Sequence, residues 1–444
     1  MVASNKLYFI LALAVIPFAL AGLWEPIKYL GVFIDVIVLF AVIIDFRKTP
    51  GTSYLEAERH VQERLSIGRE NEVVIKITNS GPGNLQVRLT DDTPAEMIRT
   101  AEKFEFNLPQ NSVSTLSYEL TPYKRGAYTF GNITIRYLSS FGLFWRQKVI
   151  PTTEKIKVFS DLKKLHELSI KLAHSTELGE LHQRKRGQGT DFASLREYTV
   201  GDDTKAIDWK ATARRDRPVV RTYEVEQEQR LLILLDAGRM MCSDLEGLKR
   251  FDHALNAALC LALTGLTHND QVGLGIFADK PLLYLPPKRG KSYMKKILES
   301  TFDVEPKMVE PDYVGMLSYF ASAQKGRALI VVLTDLTDPI GSHYLLSGLA
   351  SLRGKHLPFC VTLKDRQITQ VANTTLRNPE EETQKDKVLT SLYQRAIATD
   401  LLSQRELALS VLQRRGCLIL DCPPQELSDR LVDSYLDVKT RGRL

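Results

Sequence analysis

Four short runs in the second half of the chain limit its fold most. Residues 231–235, 271–277, 328–333 and 359–363 are apolar almost without interruption. A strand wetted on one side alternates apolar with polar residues, so near-continuous apolarity means burial on both faces. Helical patterns separate these runs, at about 245–267, 290–300, 312–323 and 344–352, with a short antiparallel edge at 282–285. A long helix near 385–415, a strand at 417–420 and a last helix near 424–438 follow. Such alternation predicts a doubly wound (Rossmann-type) α/β domain over residues 231–444. Ligands of these sheets bind beyond the carboxyl ends of the strands, where the strand order reverses. Asp236 and Asp335 stand at two such ends and are the candidate metal or catalytic carboxylates, expected to share one crevice.

At 444 residues the chain exceeds a single core, and its first half reads differently. Residues 7–23 and 29–46 are apolar, and the shorter run would extend about 25 Å as a helix, just enough for a bilayer. Residues 1–50 are therefore predicted to form a transmembrane helical hairpin. A cleaved signal peptide is the alternative for the first run, because Ala19-Leu20-Ala21 has the look of a processing site. Lys6 before the first run and Arg47 and Lys48 after the second put both ends on the cytoplasmic side of an inner membrane. Asp35 within the second run is a functional candidate by default, but two helices offer no ion path. It is expected near the outer interface or against the first helix. Over residues 51–160 the pattern has period two, as in Val73, Ile75 and Ile77 or Ile133, Ile135 and Tyr137. An all-β sandwich of immunoglobulin-like shape is predicted there, without catalytic spacing.

Between these parts, in residues 161–230, Leu162, Leu165, Leu168 and Leu172 fall at helical spacing and predict a linker helix from 161 to about 181. Residues 187–241 then mix both signs of charge with regularly placed apolar residues, among them Phe192, Leu195, Ile207 and Tyr223. The candidate interaction residues are Arg196, Glu197, Tyr198, Gly201, Asp202, Asp203, Asp208, Trp209, Lys210, Arg214 and Arg221. An ordered ion-pair network is the expected form, with Trp209 as a buried anchor; a solvated charged face is the plainer reading. The stretch has no histidine, no phosphate-cradling loop and no nucleophile elbow, so the usual groups for hydrolysis or phosphoryl transfer are missing.

The run G-x-G-x-D-F-x-x-L-R-E-Y-x-x-G-D-D, then I-D-W-K-A-x-A-R, V-R-x-Y-E-x-E and L-L-D-A-G-R-M-M, resembles the hallmark of the DUF58 family (Domain of Unknown Function 58). The family resembles von Willebrand factor type A (VWA) domains and is usually membrane-anchored. The resemblance implies a metal site built on Asp-x-Ser-x-Ser after the first strand, a distant threonine, and an aspartate after the fourth strand. Here Asp236-Ala-Gly-Arg-Met240 lacks both serines, while Asp335 matches the last aspartate, with Thr334 before it and Asp338 close by. A Mg²⁺ ion would rest on two carboxylates and waters, not a dedicated cage. Arg239 is placed to supply a fixed positive charge instead. No cofactor is expected, with Mg²⁺ as the alternative.

The resemblance further implies a partner among MoxR-type AAA+ ATPases. A membrane-anchored, non-enzymatic adaptor or scaffold in the assembly or maturation of membrane or envelope components is the reading it favours. The alternatives are a metal-dependent hydrolase using Asp236 and Asp335, and a module for anionic lipid or nucleic acid through Arg184, Lys185 and Arg186. Net charge of +6 suits the anionic face of a bilayer. Nucleic acid is disfavoured because no aromatics interleave with those cations. Five cysteines without a CxxC pair read as reduced thiols.

Overall fold

The computed structural model describes residues 2–20, 25–101, 103–179, 186–187, 191–199, 202, 204, 207–215, 217–224, 229–336, 339–373 and 385–441. These fall into two compact units, Met1–Asp161 and Leu162–Leu444.

In the first unit, alternation of apolar and polar residues makes strands with one buried face. Asn71–Asn79 alternates burial along its whole length, and Leu85–Asp91 and Ile133–Leu138 do the same. Leu55–His60, Asn71–Asn79, Ser112–Pro122 and Met97–Arg99 form one antiparallel sheet. Phe144–Ile150, Ile133–Leu138, Leu85–Asp91 and Phe104–Leu108 form another, with the short strand Val2–Ala3 on its edge. Asp91 of the second sheet is buried and tied to the first: Arg59 donates to both its oxygens and the Tyr118 hydroxyl donates at 2.6 Å. A smaller sheet joins Arg64–Ser66, Glu154–Phe159 and Gly126–Phe130.

Helix Ile27–Lys48 has 22 residues and is long and apolar enough to cross a membrane. The first apolar run differs from expectation. It forms two pieces, Asn5–Ala14 and Ile16–Leu20, near Pro17, which has no N–H to continue the ladder. Together these are a shorter apolar helix, and residues 21–23 of the run lie outside the described residues. Asp35 is exposed on its helix, not turned against the first.

Both helices are held by one stretch, residues 139–144. Ser4 donates from its backbone to the Leu143 carbonyl at 3.0 Å and from its hydroxyl to the Gly142 carbonyl at 2.6 Å. At the other helix, the Asp45 carboxylate is buried and accepts from the Phe141 amide at 2.7 Å and from the Ser139 hydroxyl. The start of one helix and the end of the other therefore sit on the same loop.

The second unit holds a six-stranded sheet: β1 Arg230–Asp236, β2 Gln271–Phe277, β3 Pro281–Lys288, β4 Leu329–Thr334, β5 Leu357–Leu363 and β6 Leu418–Cys422. Their order is β3-β2-β1-β4-β5-β6, parallel except for β3, which runs against β2. Side chains alternate across the sheet, so the two faces carry separate cores. Leu231, Ile233 and Leu235 pack with α1 (Arg250–Thr267) and α6 (Pro424–Thr440). Leu232 and Leu234 pack with α3 (Tyr313–Ser322), α4 (Pro339–Leu352) and α5 (Lys385–Arg414). Between α1 and α3 lies α2 (Tyr293–Thr301).

Two expectations change here. Helix Leu162–Gly179 is no free linker, because Leu165 enters the core beside Leu162 and Leu168, and Lys164 pairs with Asp429 at 3.1 Å. And α1 starts at Arg250, not near 245. Asp244–Leu245 pairs with Leu248–Lys249 around Glu246 and Gly247, whose φ values of 54° and 87° make a tight turn that no right-handed helix accepts.

Candidate functional site

The strand order reverses between β1 and β4, so the crevice that would take a ligand opens beyond Asp236. That crevice is filled from within. Asp236 is buried, and its Oδ1 accepts from the Gly238 amide at 2.7 Å. Its Oδ2 accepts from the hydroxyls of Tyr313 and Thr334, both at 2.7 Å, and those hydroxyls lie 2.9 Å apart. Asp312 caps α3 by accepting from the Gly315 amide at 2.9 Å, which places Tyr313 at the first turn, pointing in. Its ring meets Phe277 edge-on, with centroids 6.1 Å apart. Burial raises the Asp236 pKa above the ordinary carboxylate range despite these donors, and the nearby Asp335 charge adds to the rise. Burial, then the Asp236 charge, pushes Tyr313 up as well, so its hydroxyl stays protonated.

Gly238 occupies a serine position of the implied metal turn, and the packing explains the glycine. A Cβ there would stand 2.8 Å from Pro311 Cδ and 3.1 Å from Asp236 Oδ1.

Asp335 lies one residue past β4 and is answered by two guanidinium groups. Arg250, at the start of α1, pairs with its Oδ2, and Arg405 Nη1 donates to its Oδ1 at 2.8 Å. The same arginines reach the ends of the next strands. Arg250 meets Asp365 at 3.0 Å; Arg405 meets Asp421 and the Leu363 carbonyl, each at 2.7 Å. Arg250, Arg405 and Asp335 are all buried. Arg239 pairs, among the described residues, with Glu310 at 2.6 Å, and both are partly exposed.

These residues do not fit a Mg²⁺ site. The guanidinium groups already hold the Asp335 oxygens, and a dication beside two buried arginines would be strongly repelled. Among the described residues no group of three or more His, Cys, Asp or Glu side chains could hold a metal. Asp338 lies outside the described residues.

The charged hallmark forms a separate, ordered element. Asp191–Glu197 pairs antiparallel with Val219–Glu224, and Arg186–Gly187 adds a short third strand. Arg196 grips Asp202 through both guanidinium nitrogens, and the Thr199 amide and hydroxyl each donate to Asp202 at 2.9 Å. Arg196, then the Thr199 amide, holds the Asp202 carboxyl well below its usual range. Arg217 pairs with Glu197 at 3.1 Å, and the Tyr198 amide donates to the Pro218 carbonyl at 2.9 Å. Asp208 caps helix Trp209–Arg215, accepting from the amides of Lys210 at 3.0 Å and Ala211 at 3.1 Å.

Trp209 corrects the reading of it as a buried anchor. It is 70% exposed, at the first position of that helix, with Lys210 and Arg214 also exposed. It opens the helix directly after the Asp208 cap, while Val219 and Val220 of the neighbouring strand are buried. Gly201, Asp203 and the Arg221 side chain lie outside the described residues, as do Arg184 and Lys185.

A family described as Protein of unknown function DUF58 matches residues 194–416. The uncharacterized protein Rv1480 of Mycobacterium tuberculosis is 22% identical over 199 residues, 44% of this chain and 62% of that protein. The uncharacterized protein YeaD of Bacillus subtilis is 23% identical over 203 residues, 42% of this chain and 48% of that protein. The chain thus spans less than two thirds of these relatives. Among solved structures, conserved hypothetical protein BatB from Bacteroides thetaiotaomicron is similar over 40% of this chain and 99% of its own, at 15% identity and a TM-score of 0.24.

Proposed function

The chain belongs to the DUF58 family of proteins of unknown function, and from that premise we propose that it is a membrane-anchored adaptor and not an enzyme. Trp209 carries this reading. A large aromatic 70% exposed on an internally paired, capped element has the character of an interface anchor. Proteins tolerate single exposed apolar residues, but an exposed tryptophan on a short capped helix that also exposes Lys210 and Arg214 suits a partner that brings an apolar pocket with acidic surroundings.

The carboxyl edge of the sheet supports the non-enzymatic half of the proposal. Its two carboxylates are engaged by Tyr313, Thr334, Arg250 and Arg405, which argues against a metal-dependent hydrolase built on them. The strand order agrees with a VWA-type domain that has exchanged its metal for arginines, and the first unit with an immunoglobulin-like sandwich. Helix Ile27–Lys48 is the anchor; the pieces before it complete a hairpin, with the soluble parts in the cytoplasm. The partner class that the family resemblance implies is a MoxR-type AAA+ ATPase.

The test is crosslinking of the full-length protein in its native membrane, followed by mass spectrometry of what is recovered. One ATPase enriched with wild type and lost with Trp209→Ala supports the adaptor. Recovery of the same proteins with both, at equal expression and melting temperature, refutes the role given to Trp209.

A further inference from the structure

We propose that the clamp joining the two N-terminal helices to the first unit also holds an anionic phospholipid. The proposal rests on the membrane-anchor reading above. A cavity of about 440 Å³ opens between the two helices and the strand that follows the clamp, lined by Leu7, Val42, Ile43, Phe46 and Phe144, with Arg47 as the polar residue at its wall. Its size lies within the roughly 300–1,000 Å³ usual for small-ligand sites. An apolar floor with one guanidinium at the mouth matches an acyl chain and a phosphate in a single molecule, and a free phosphate would leave the floor unfilled.

Two more cations lie on residues of the clamp. Lys48 lies over the Phe141 ring at 5.4 Å, and the Lys6 ammonium sits over Gly142, 3.4 Å from where a Cβ on that glycine would stand. Arg47, Lys48 and Lys6 are exposed. The acid nearest to Arg47 and Lys48 in the chain, Asp45, is buried and accepts from Ser139 and Phe141, so its carboxylate turns to the clamp. Each such cation near a bilayer surface adds to the attraction for anionic headgroups. The lipid fills the cavity between the two helices, both of which attach to residues 139–144.

The experiment uses the full chain in a neutral detergent, titrated with phosphatidylglycerol or phosphatidylcholine of identical chains, with retained lipid counted by native mass spectrometry. The expected result is one phosphatidylglycerol per chain, retained about tenfold or more over phosphatidylcholine. Arg47→Gln removes the preference, and Val42→Trp, which puts an indole into the cavity between the helices, weakens retention of both lipids. Equal retention of the two lipids by wild type, or an unchanged preference in Arg47→Gln, overturns the proposal. Arg47 is exposed, so that variant decides even if Val42→Trp does not fold. Carbonate extraction of the same cells separates the two readings. Protein that stays in the membrane yet shows no preference refutes the lipid site alone; protein released by carbonate refutes the anchor and the site together.

Discussion

Burying a carboxylate costs several kcal/mol unless its charge is answered, and the two acids at the sheet edge are answered differently. Asp335 has arginines on both oxygens. Removing one partner leaves buried charge uncompensated, so Arg405→Met is expected to destabilise by about 3–5 kcal/mol. Adding Asp335→Asn to that variant should restore part of the loss, read from melting of the detergent-solubilised full chain. A single variant as stable as wild type would mean the network is not formed. Asp236 has only neutral donors, and burial raises its pKa. A carboxyl with a raised folded pKa binds protons more tightly in the native state, so wild type loses stability as pH rises beyond about 3.9. Asparagine has no such titration. The melting temperature of Asp236→Asn relative to wild type should therefore increase from about pH 4 to about pH 8. A relative loss with rising pH, or Mg²⁺ stabilising wild type and not the variant, would contradict a site without metal. Both acids were legible in sequence because each ends an apolar strand. Their partners were not: Arg250 and Arg405 lie 85 and 70 residues from Asp335, and only the fold joins them. One signal was present, since Arg405 shares its helix stripe with Ala398, Ala408 and Leu412, all buried, where a cation is out of place.

Among the elements, the charged hairpin shows how a surface can be ordered without a core of its own. Its charges pair locally: Arg196 with Asp202, Arg217 with Glu197, and Asp208 with the amides of its helix. The depressed Asp202 pKa gives this order a pH signature. Its contribution is complete above the ordinary carboxylate pKa of about 3.9 and is lost as pH falls through the lower folded value. Hydrogen exchange at the Thr199 amide should thus stay protected from about pH 8 to about pH 5, and Arg196→Ala should remove the protection at every pH. Unchanged exchange in that variant would show that the pair does not hold the turn. Sequence reading expected an ion-pair network but did not say which charges pair, and it misplaced Trp209, because regularly spaced aromatics read as core until the helix boundary is known. The same limit applies to α1, whose early boundary was hidden by a turn that depends on positive φ at Glu246 and Gly247.

For the molecule as a whole, periodicity carried the most information. Near-continuous apolar strands and alternating strands call for different sheets, and both kinds are present. What periodicity could not reveal is how the helices attach, since the clamp uses Ser4, Asp45 and residues 139–144, distant in sequence. The account we propose for these parts is an anchored protein whose sheet-edge acids are engaged by its own side chains and whose exposed tryptophan recruits a partner. The most direct measurement is the affinity of the full chain, in lipid nanodiscs, for the ATPase that the proposed crosslinking is expected to recover. The account predicts that Trp209→Ala weakens binding by roughly thirtyfold (about 2 kcal/mol), as loss of an interface anchor does, with the melting temperature unchanged. Equal affinity of the variant and wild type, or no binding by either, would contradict it.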